Sequence, residues 1–160
     1  MSEWISFTLN GEIRKIEITP NTTLFNMLRS LGIHSVKCGC ESTVCGLCTV
    51  FLEDKPVLSC SVPAFRVNGK SVTTLEGLQE EAAAFTAFIA REGADQCGFC
   101  NPGYIMNFIA LLRENPTPSD DEIRAYLAGN LCRCSGYEGQ LRGIRSFLDT
   151  RNASAETEDQ

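Results

Sequence analysis

The stretch KCGCESTVCGLC, residues 37–48, holds four of the nine cysteines in this 160-residue chain. Cys40, Cys45 and Cys48 form the run C-x4-C-x2-C, and Cys38 lies two residues upstream as a fourth candidate ligand. Gly39 and Gly46 would let the backbone come close to a bound group and direct N–H groups towards it. The stretch therefore predicts a loop that wraps a metal centre and needs a further ligand from elsewhere.

Three cysteines in this spacing, followed by a distant fourth, are typical of a [2Fe-2S] cluster, in which four thiolates hold two irons. The segments TVFLE and VLSC flank a turn near Asp54 and Lys55, and pairing them as strands returns Cys60 to the side of Cys48. We therefore expect Cys60 to be the fourth ligand and Cys38 to be a small buried thiol. Zinc is the main alternative, but structural zinc sites usually use paired C-x2–4-C knuckles, which this spacing fits poorly.

A second set of cysteines lies in QCGFCNPG and NLCRCSGY. Asn101 before Pro102 predicts one helix start, and Ser135 with Glu138 predicts a capping box at another. The positive ends of both helices would then face the thiols and favour the added charge of a reduced cluster. A single C-x2-C pair is also typical of a redox dithiol or a zinc half-site, but four thiols at two helix starts predict a second [2Fe-2S] cluster. Its ligands would be Cys97, Cys100, Cys132 and Cys134.

The composition bounds the class of protein. The chain is 43% hydrophobic and has a formal net charge of −6, whereas a nucleic-acid binder would need a basic stripe. No stretch approaches the roughly 20 apolar residues of a membrane span. The N-terminal MSEWISFTLN lacks the cationic start and apolar core of an export signal. We therefore expect a cytoplasmic protein with no nucleic-acid partner and no membrane span, in which cysteines are more often metal ligands than disulfides.

The first half of the chain has the pattern of strands. Alternating residues on either side of Asn10-Gly11 predict a β-hairpin, with Trp4 and Phe7 at core positions of its first strand. A short helix is predicted over 23–31, and the segments TVFLE, VLSC and KSVTTLE predict further strands.

The second half has helical periodicity, and the change falls near Gly77. We predict helices over 80–92, 102–114, 120–128 and 137–149. We therefore divide the chain into a strand-rich domain over 1–77, a helical domain over 78–150 and a mobile polar tail over 151–160.

Four stretches, VKCGCESTVCGLCTV, LEGL, QCGFCNPG and GNLCRCSGY, resemble in order and spacing the small iron–sulfur subunit of the molybdenum hydroxylases, the family of xanthine dehydrogenase and aldehyde oxidoreductase. The resemblance covers residues 3 to 149. It implies an α+β protein, with an N-terminal β-grasp domain of the plant-ferredoxin type followed by an all-α four-helix domain that binds the second [2Fe-2S] cluster.

The resemblance also implies a function. Such a subunit relays electrons from a molybdenum-pterin subunit, where a purine, N-heterocycle, aldehyde or similar substrate is hydroxylated, through two [2Fe-2S] clusters to an FAD-binding subunit. By the family pattern, the cysteines of QCGFCNPG and NLCRCSGY hold the cluster nearer molybdenum, and the first set with Cys60 holds the cluster nearer FAD. Gln96 and Cys134 match positions that approach the pterin. The assembly would be a heterotrimer or a dimer of heterotrimers, with no catalytic residue and no substrate-converting site on this chain.

The sequence departs from the family pattern at four positions. Thr43 stands where glycine is common, Cys38 is extra, and Asn101 and Ser135 replace threonines while keeping an oxygen suited to capping. Two other functions remain open, a free-standing two-cluster ferredoxin and a zinc-stabilised interaction module. A second cluster held among helices favours a fixed relay over a diffusing shuttle.

Overall fold

The computed structural model describes residues 2–158 of the chain, and the side chains of residues 2–153. Five strands form one mixed sheet, in the order β2-β1-β5-β3-β4. The strands are β1 Glu3–Leu9, β2 Glu12–Ile18, β3 Thr49–Leu52, β4 Lys55–Leu58 and β5 Ser71–Thr73. β1 and β5 run parallel, and the other neighbouring pairs are antiparallel. A single short helix, α1 Leu24–Ser30, packs its apolar side chains into the core beneath the sheet.

Two tight turns confirm the predicted hairpins. Asn10 and Gly11 both have positive φ, at 50° and 84°, which matches the right-handed twist of the strands that they join. In the second hairpin Glu53 and Asp54 have positive φ, so the turn lies one residue earlier than predicted. β4 contains Pro56 and lies at the edge of the sheet, where a missing N–H is tolerated.

Four helices follow the sheet, as the periodicity predicts. They are α2 Gln79–Arg91, α3 Asn101–Glu114, α4 Asp120–Leu127 and α5 Glu138–Glu158. α5 continues past residue 149, so the predicted tail is helical as far as Glu158; residues 159–160 lie outside the described residues, and the mobility of the tail stays a prediction. The boundary near Gly77 likewise stays a prediction. Within residues 2–158, no helix combines the length and the apolar character that crossing a membrane requires.

The core of the sheet corrects one expectation about β1. Ile5, Phe7 and Leu9 are buried on its inner face, with Phe7 only 2% exposed. Trp4 is 68% exposed, so its predicted core position is wrong. Side chains alternate between the two faces of a strand, and residues 4 and 7 therefore point to opposite faces.

The sheet and the helices share a packed interface. Phe51 on β3 is fully buried, and its ring belongs to the hydrophobic cluster of the helices rather than to that of the sheet. The Arg113 guanidinium on α3 lies 4.8 Å from the centre of this ring. The same guanidinium forms ion pairs with Asp54 at 3.7 Å and Glu81 at 3.3 Å. This arrangement joins the turn of the second hairpin to α2 and α3.

Glu76 forms a second connection between the two halves. It lies in a short 3-10 helix, Leu75–Gly77, just before α2. Its carboxylate accepts hydrogen bonds from the backbone N–H groups of His34 at 3.2 Å and Ser35 at 2.9 Å, and from the hydroxyls of Ser35 and Thr74, each at 2.6 Å. Burial alone raises the pKa of Glu76, but these hydrogen bonds outweigh burial and leave the pKa below its ordinary value. Glu76 therefore fixes the segment that leads into the first cysteine loop.

We expect Glu76→Gln to lower the free energy of unfolding by about 1 to 2 kcal/mol near neutral pH, because a neutral amide accepts hydrogen bonds less strongly than a carboxylate. The folded pKa is depressed, so the contribution of Glu76 is complete above the ordinary glutamate pKa of about 4.3 and is lost as the pH falls through the folded pKa. Denaturant midpoints of wild type and variant should therefore converge in acid. Glu80→Gln, at an exposed position in the first turn of α2, is the control. An equal loss in both variants would contradict the assignment.

Candidate metal centres

The four cysteines predicted to hold the first cluster lie together at the open end of the second hairpin. Cys40, Cys45 and Cys48 lie on the loop between α1 and β3, and Cys60 follows β4. Ser59 donates hydrogen bonds to the carbonyl oxygen of Cys48 from its N–H at 3.2 Å and from its hydroxyl at 2.7 Å. The return of the chain therefore places Cys60 beside Cys48, as the sequence predicts. The thiols contact each other in two pairs, Cys40 with Cys45 and Cys48 with Cys60.

The backbone of the first loop stabilises negative charge on sulfur. The N–H groups of Val44 and Ser42 lower the pKa of the Cys40 thiol to about 6. Thr43, which lies between these two residues, has a φ of 57°, a left-handed conformation that is unfavourable for a β-branched residue. Burial acts in the opposite direction on the pKa of Cys60, which it raises to about 12, with a further contribution from the hydrogen bond to Cys48. The pKa of Cys40 is therefore lowered by its backbone hydrogen bonds, whereas burial raises the pKa of both Cys45 and Cys60.

The second four cysteines lie just before α3 and α5. The sulfurs of Cys97 and Cys134 are 3.5 Å apart, and Cys100 forms a pair with Cys132. Ser135 donates to the Cys132 sulfur from its N–H at 3.4 Å and from its hydroxyl at 3.2 Å. Burial raises the pKa of Cys100 to about 12. Burial also tends to raise the pKa of Cys132, but the hydrogen bonds from Ser135 outweigh it and lower that pKa.

Both predicted helix caps beside this second set are wrong. Cys100, not Asn101, is the N-cap residue of α3, and its side chain forms no capping hydrogen bond; Asn101 is already helical, and its side-chain amide donates to Asp95 at 2.9 Å. The Ser135 oxygen accepts from the N–H of Tyr137 rather than from the first turn of α5. Its hydroxyl hydrogen points to the Cys132 sulfur. The Ser135 hydroxyl therefore forms its hydrogen bonds within the loop that carries the thiols and does not cap α5.

Two other predicted residues lie at the surface. Cys38 is exposed, so its expected burial is wrong; its thiol donates to the carbonyl of Cys40 at 3.3 Å. Gln96 is also exposed, next to Cys97. None of the described cysteines forms a disulfide.

The thiols are arranged in pairs rather than around a point. Among the side chains of residues 2–153, no group of three or more His, Cys, Asp and Glu is placed to hold a single metal ion. Each set of four nevertheless brings its two thiol pairs within electrostatic reach of each other. Two pairs of thiolates are the donor set that the two irons of a [2Fe-2S] cluster require. Each set therefore fits one such cluster.

The two sets of thiols adjoin. Cys45 and Cys100 belong to one small apolar cluster with Leu47, and Cys40 and Cys132 pack against it. The N–H of Leu131 donates to the carbonyl of Cys45 at 2.9 Å, which joins the two ligand loops directly. A cavity of about 410 Å³ opens beside the second set, lined also by Gly39, Cys45 and Leu47 of the first loop.

Gly103 makes this approach possible, and its role was not predicted from the sequence. A Cβ at position 103 would lie 2.5 Å from the carbonyl oxygen of Gly46 and 2.9 Å from the Cα of Leu47. The backbone of α3 therefore touches the backbone of the first loop. Glycine has poor helix propensity, yet Gly103 lies in the first turn of a predicted helix. This mismatch was the one signal in the sequence that could have indicated a close backbone contact.

Comparison with known proteins gives two matches to domain families. Residues 7–69 match a "2Fe-2S iron-sulfur cluster binding domain", and residues 74–145 match a "[2Fe-2S] binding domain". Over 136 residues the chain is 43% identical to the nicotinate dehydrogenase small FeS subunit of Eubacterium barkeri, covering 83% of this chain and 87% of the relative. It is 41% identical over 143 residues to a probable xanthine dehydrogenase subunit of Bacillus subtilis, covering 88% and 82%.

A crystal structure of quinoline 2-oxidoreductase from Pseudomonas putida 86 has a similar chain. The two chains superpose with a TM-score of 0.84 at 36% identity, covering 95% of this chain and 97% of the other. The similarity therefore extends over both halves of the molecule.

We expect Gly103→Ala to destabilise the protein by about 1 to 3 kcal/mol, because the added methyl group has to displace the first loop. Helix propensity alone would stabilise this variant by about 1 kcal/mol, so the sign of the change decides between the two effects. Thermal unfolding of the metal-loaded protein measures it. Gly129→Ala is the matched control, since a Cβ at position 129 meets nothing within 4 Å. A Gly103→Ala protein as stable as the control would disprove the close contact.

Proposed function

Since the chain belongs to the family of iron–sulfur subunits of the molybdenum hydroxylases and is an electron-transfer subunit of such an enzyme, we propose that it carries electrons from a large molybdenum-pterin subunit to a subunit that binds FAD. A [2Fe-2S] cluster accepts and returns one electron at a time. The observation that carries the proposal is the contact between the two sets of thiols through Cys45, Leu47 and Cys100. Through that contact, electrons would have a continuous path between the two sets of thiols, in a chain that has no catalytic residue.

The proposal assigns four ligands to each cluster. The first is held by Cys40, Cys45, Cys48 and Cys60, and the second by Cys97, Cys100, Cys132 and Cys134. Support comes from the pairing of the thiols and from the N–H and hydroxyl groups that donate to Cys40 and Cys132. Such donors stabilise the negative charge that a reduced cluster adds.

The proposal also gives the relay a direction, with the second cluster nearer molybdenum and the first nearer FAD. Gln96 and Cys134 would approach the pterin, and both are exposed. Phe99 and Leu131, which line the cavity beside the second set, are 46% and 49% exposed. Exposed apolar groups in one place are typical of a protein interface. Lys37, 6.0 Å from the Phe99 ring centre, adds positive charge to this face.

The assembly and its substrate are proposed from the relatives. The names nicotinate dehydrogenase, xanthine dehydrogenase and quinoline 2-oxidoreductase favour a small N-heterocycle or purine as the substrate of the whole enzyme. The name of a further relative, the nicotine 6-hydroxylase small subunit of Paenarthrobacter nicotinovorans, supports an assembly with larger subunits. We propose a heterotrimer or a dimer of heterotrimers, located in the cytoplasm. Hydroxylation itself would take place on the large subunit.

The ligand assignment predicts different results for two cysteines of the first half. Cys60→Ser should lower the iron content from about four atoms per chain to about two and remove one of the two paramagnetic signals of the reduced protein. Cys38→Ser, the matched control, should keep both. Iron analysis and electron paramagnetic resonance (EPR) spectra of anaerobically purified protein measure this. Unchanged iron in Cys60→Ser, or lost iron in Cys38→Ser, would contradict the assignment.

The proposed docking face predicts a selective loss of association. Phe99→Asp should lower the amount of the molybdenum subunit that co-purifies with the chain by about tenfold or more, because a buried interface excludes an unpaired charge. Ile13→Asp is the control: Ile13 is 77% exposed on β2, at the sheet edge opposite β4. Both variants should retain their iron. Equal association of both variants would place the interface elsewhere.

A further inference from the structure

Two buried polar side chains near the thiols have no role as ligands. Asn130 is 3% exposed and Thr49 is 4% exposed. Asn130 lies two residues before Cys132, and Thr49 directly follows Cys48. Each therefore lies beside a ligand, one in the second half and one in the first.

A network of hydrogen bonds connects these side chains at the Gly46 carbonyl. The Asn130 Nδ2 donates to the Gly46 oxygen at 3.3 Å, and the Thr49 hydroxyl donates to the same oxygen at 2.7 Å. The Asn107 Nδ2 on α3 donates to the Asn130 Oδ1 at 2.9 Å and to the Thr49 Oγ1 at 3.0 Å. Asn107 thus links the two groups that hold the carbonyl.

The network allows only one orientation of the Asn130 amide. Reversing it would bring its NH2 group against that of Asn107 and its oxygen against the Gly46 carbonyl. Buried polar groups cost free energy unless they are paired, and these hydrogen bonds pair the Asn130 amide and the Gly46 carbonyl; apolar contacts are non-directional and would leave that carbonyl without these side-chain donors. The directional bonds therefore hold the Gly46 carbonyl more tightly than apolar packing would.

The position of Gly46 controls the contact between the two ligand loops. Cys45 precedes it, and the Cys45 carbonyl accepts the hydrogen bond from Leu131, the residue before Cys132. A Cβ on Gly46 would lie 2.5 Å from the Gly129 carbonyl and 2.7 Å from the Asn130 Nδ2, so the loops touch on this side as well. A displacement of the Gly46 peptide would thus move Cys45 relative to Cys132.

We propose that Asn130, supported by Asn107 and Thr49, is a positioning residue for electron transfer between the two clusters, an inference that rests on the proposed function. In that step one electron leaves the cluster of the second set, which is oxidised, and enters that of the first set, which is reduced. No proton and no covalent bond changes in the network. Asn130 acts by holding the two ligand loops at a fixed separation, because the rate of electron transfer falls steeply as the distance between the two clusters increases.

The test compares Asn130→Ala with Asn115→Ala in the full chain carrying both clusters. Asn115 is the matched control because its amide also bonds within the helical half, to Glu122, but away from the thiols. After rapid one-electron reduction, the movement of the electron between clusters is followed by optical and EPR spectra. Asn130→Ala should slow this movement by about tenfold and weaken the magnetic interaction between the two reduced clusters. Asn115→Ala should match wild type in both respects.

A second pair of variants separates positioning from folding. Thr49→Val keeps the shape of the side chain but removes the hydroxyl that holds Gly46, whereas Thr49→Ser keeps the hydroxyl. Thr49→Val should show the same slower transfer as Asn130→Ala, and Thr49→Ser should restore the wild-type rate. All variants should contain about four irons.

The outcomes distinguish this inference from the proposed function. Wild-type protein without iron, or without two paramagnetic signals, would overturn the proposed function itself. With both clusters present, unchanged transfer and unchanged magnetic interaction in Asn130→Ala and Thr49→Val would overturn only the role of Asn130. Loss of the first cluster from both variants would also overturn it, since the network would then serve to bind the cluster rather than to set its distance from the other.

Discussion

The structure depends on a contact between two backbones, that of the first cysteine loop at Gly46 and that of α3 at Gly103. A Cβ on Gly103 would lie 2.5 Å from the Gly46 carbonyl oxygen, and a Cβ on Gly46 would lie 2.5 Å from the Gly129 carbonyl oxygen, so the first loop touches α3 on one side and the chain after α4 on the other. This contact brings two sets of thiols, far apart in sequence, against the same leucine, Leu47. Cys48 and Cys60 lie at the two ends of the hairpin formed by β3 and β4, and Cys100 directly precedes α3. These elements therefore bring proposed ligands of both sets to the contact.

Charge is the second constraint on the site. The chain has a formal charge of −6, and two oxidised clusters with four thiolates each would add about −4. The protein stabilises part of this charge with N–H groups directed at Cys40 and with Ser135 directed at Cys132. Burial raises the pKa of Cys60 and Cys100, so metal binding has to displace a proton from each of these thiols. The hydrogen bonds at Cys40 and Cys132 thus favour the charged thiolate, whereas burial at Cys60 and Cys100 opposes it.

Local signals in the sequence predicted most of the fold. Asn10-Gly11 predicted the first hairpin, and the helical periods predicted α2 to α5, because turns and amphipathic faces depend on neighbouring residues. The position of Cys60 beside Cys48 was also predictable, because it depends on the pairing of two strands that a short turn connects. The errors have separate causes. Ser135 uses its hydroxyl on a sulfur instead of a helix start, and Trp4 lies on the outer face because side chains alternate along β1 and Phe7 occupies the inner face.

The contacts between the halves had no local signal in the sequence, and they hold the two sets of thiols in a fixed relation to each other. The Phe51 side chain on β3 packs in the hydrophobic cluster of the helices. Arg113 forms ion pairs with the turn of the second hairpin and with α2, and Glu76 binds the segment before the first cysteine loop from a position just before α2. These contacts lie apart from one another, so bending the halves would break several at once. The separation of the two sets of thiols is thus maintained by the folding free energy of the whole chain. Val44, beside the first set, and Phe99, beside the second, are both exposed, which fits the proposed relay with one partner at each end.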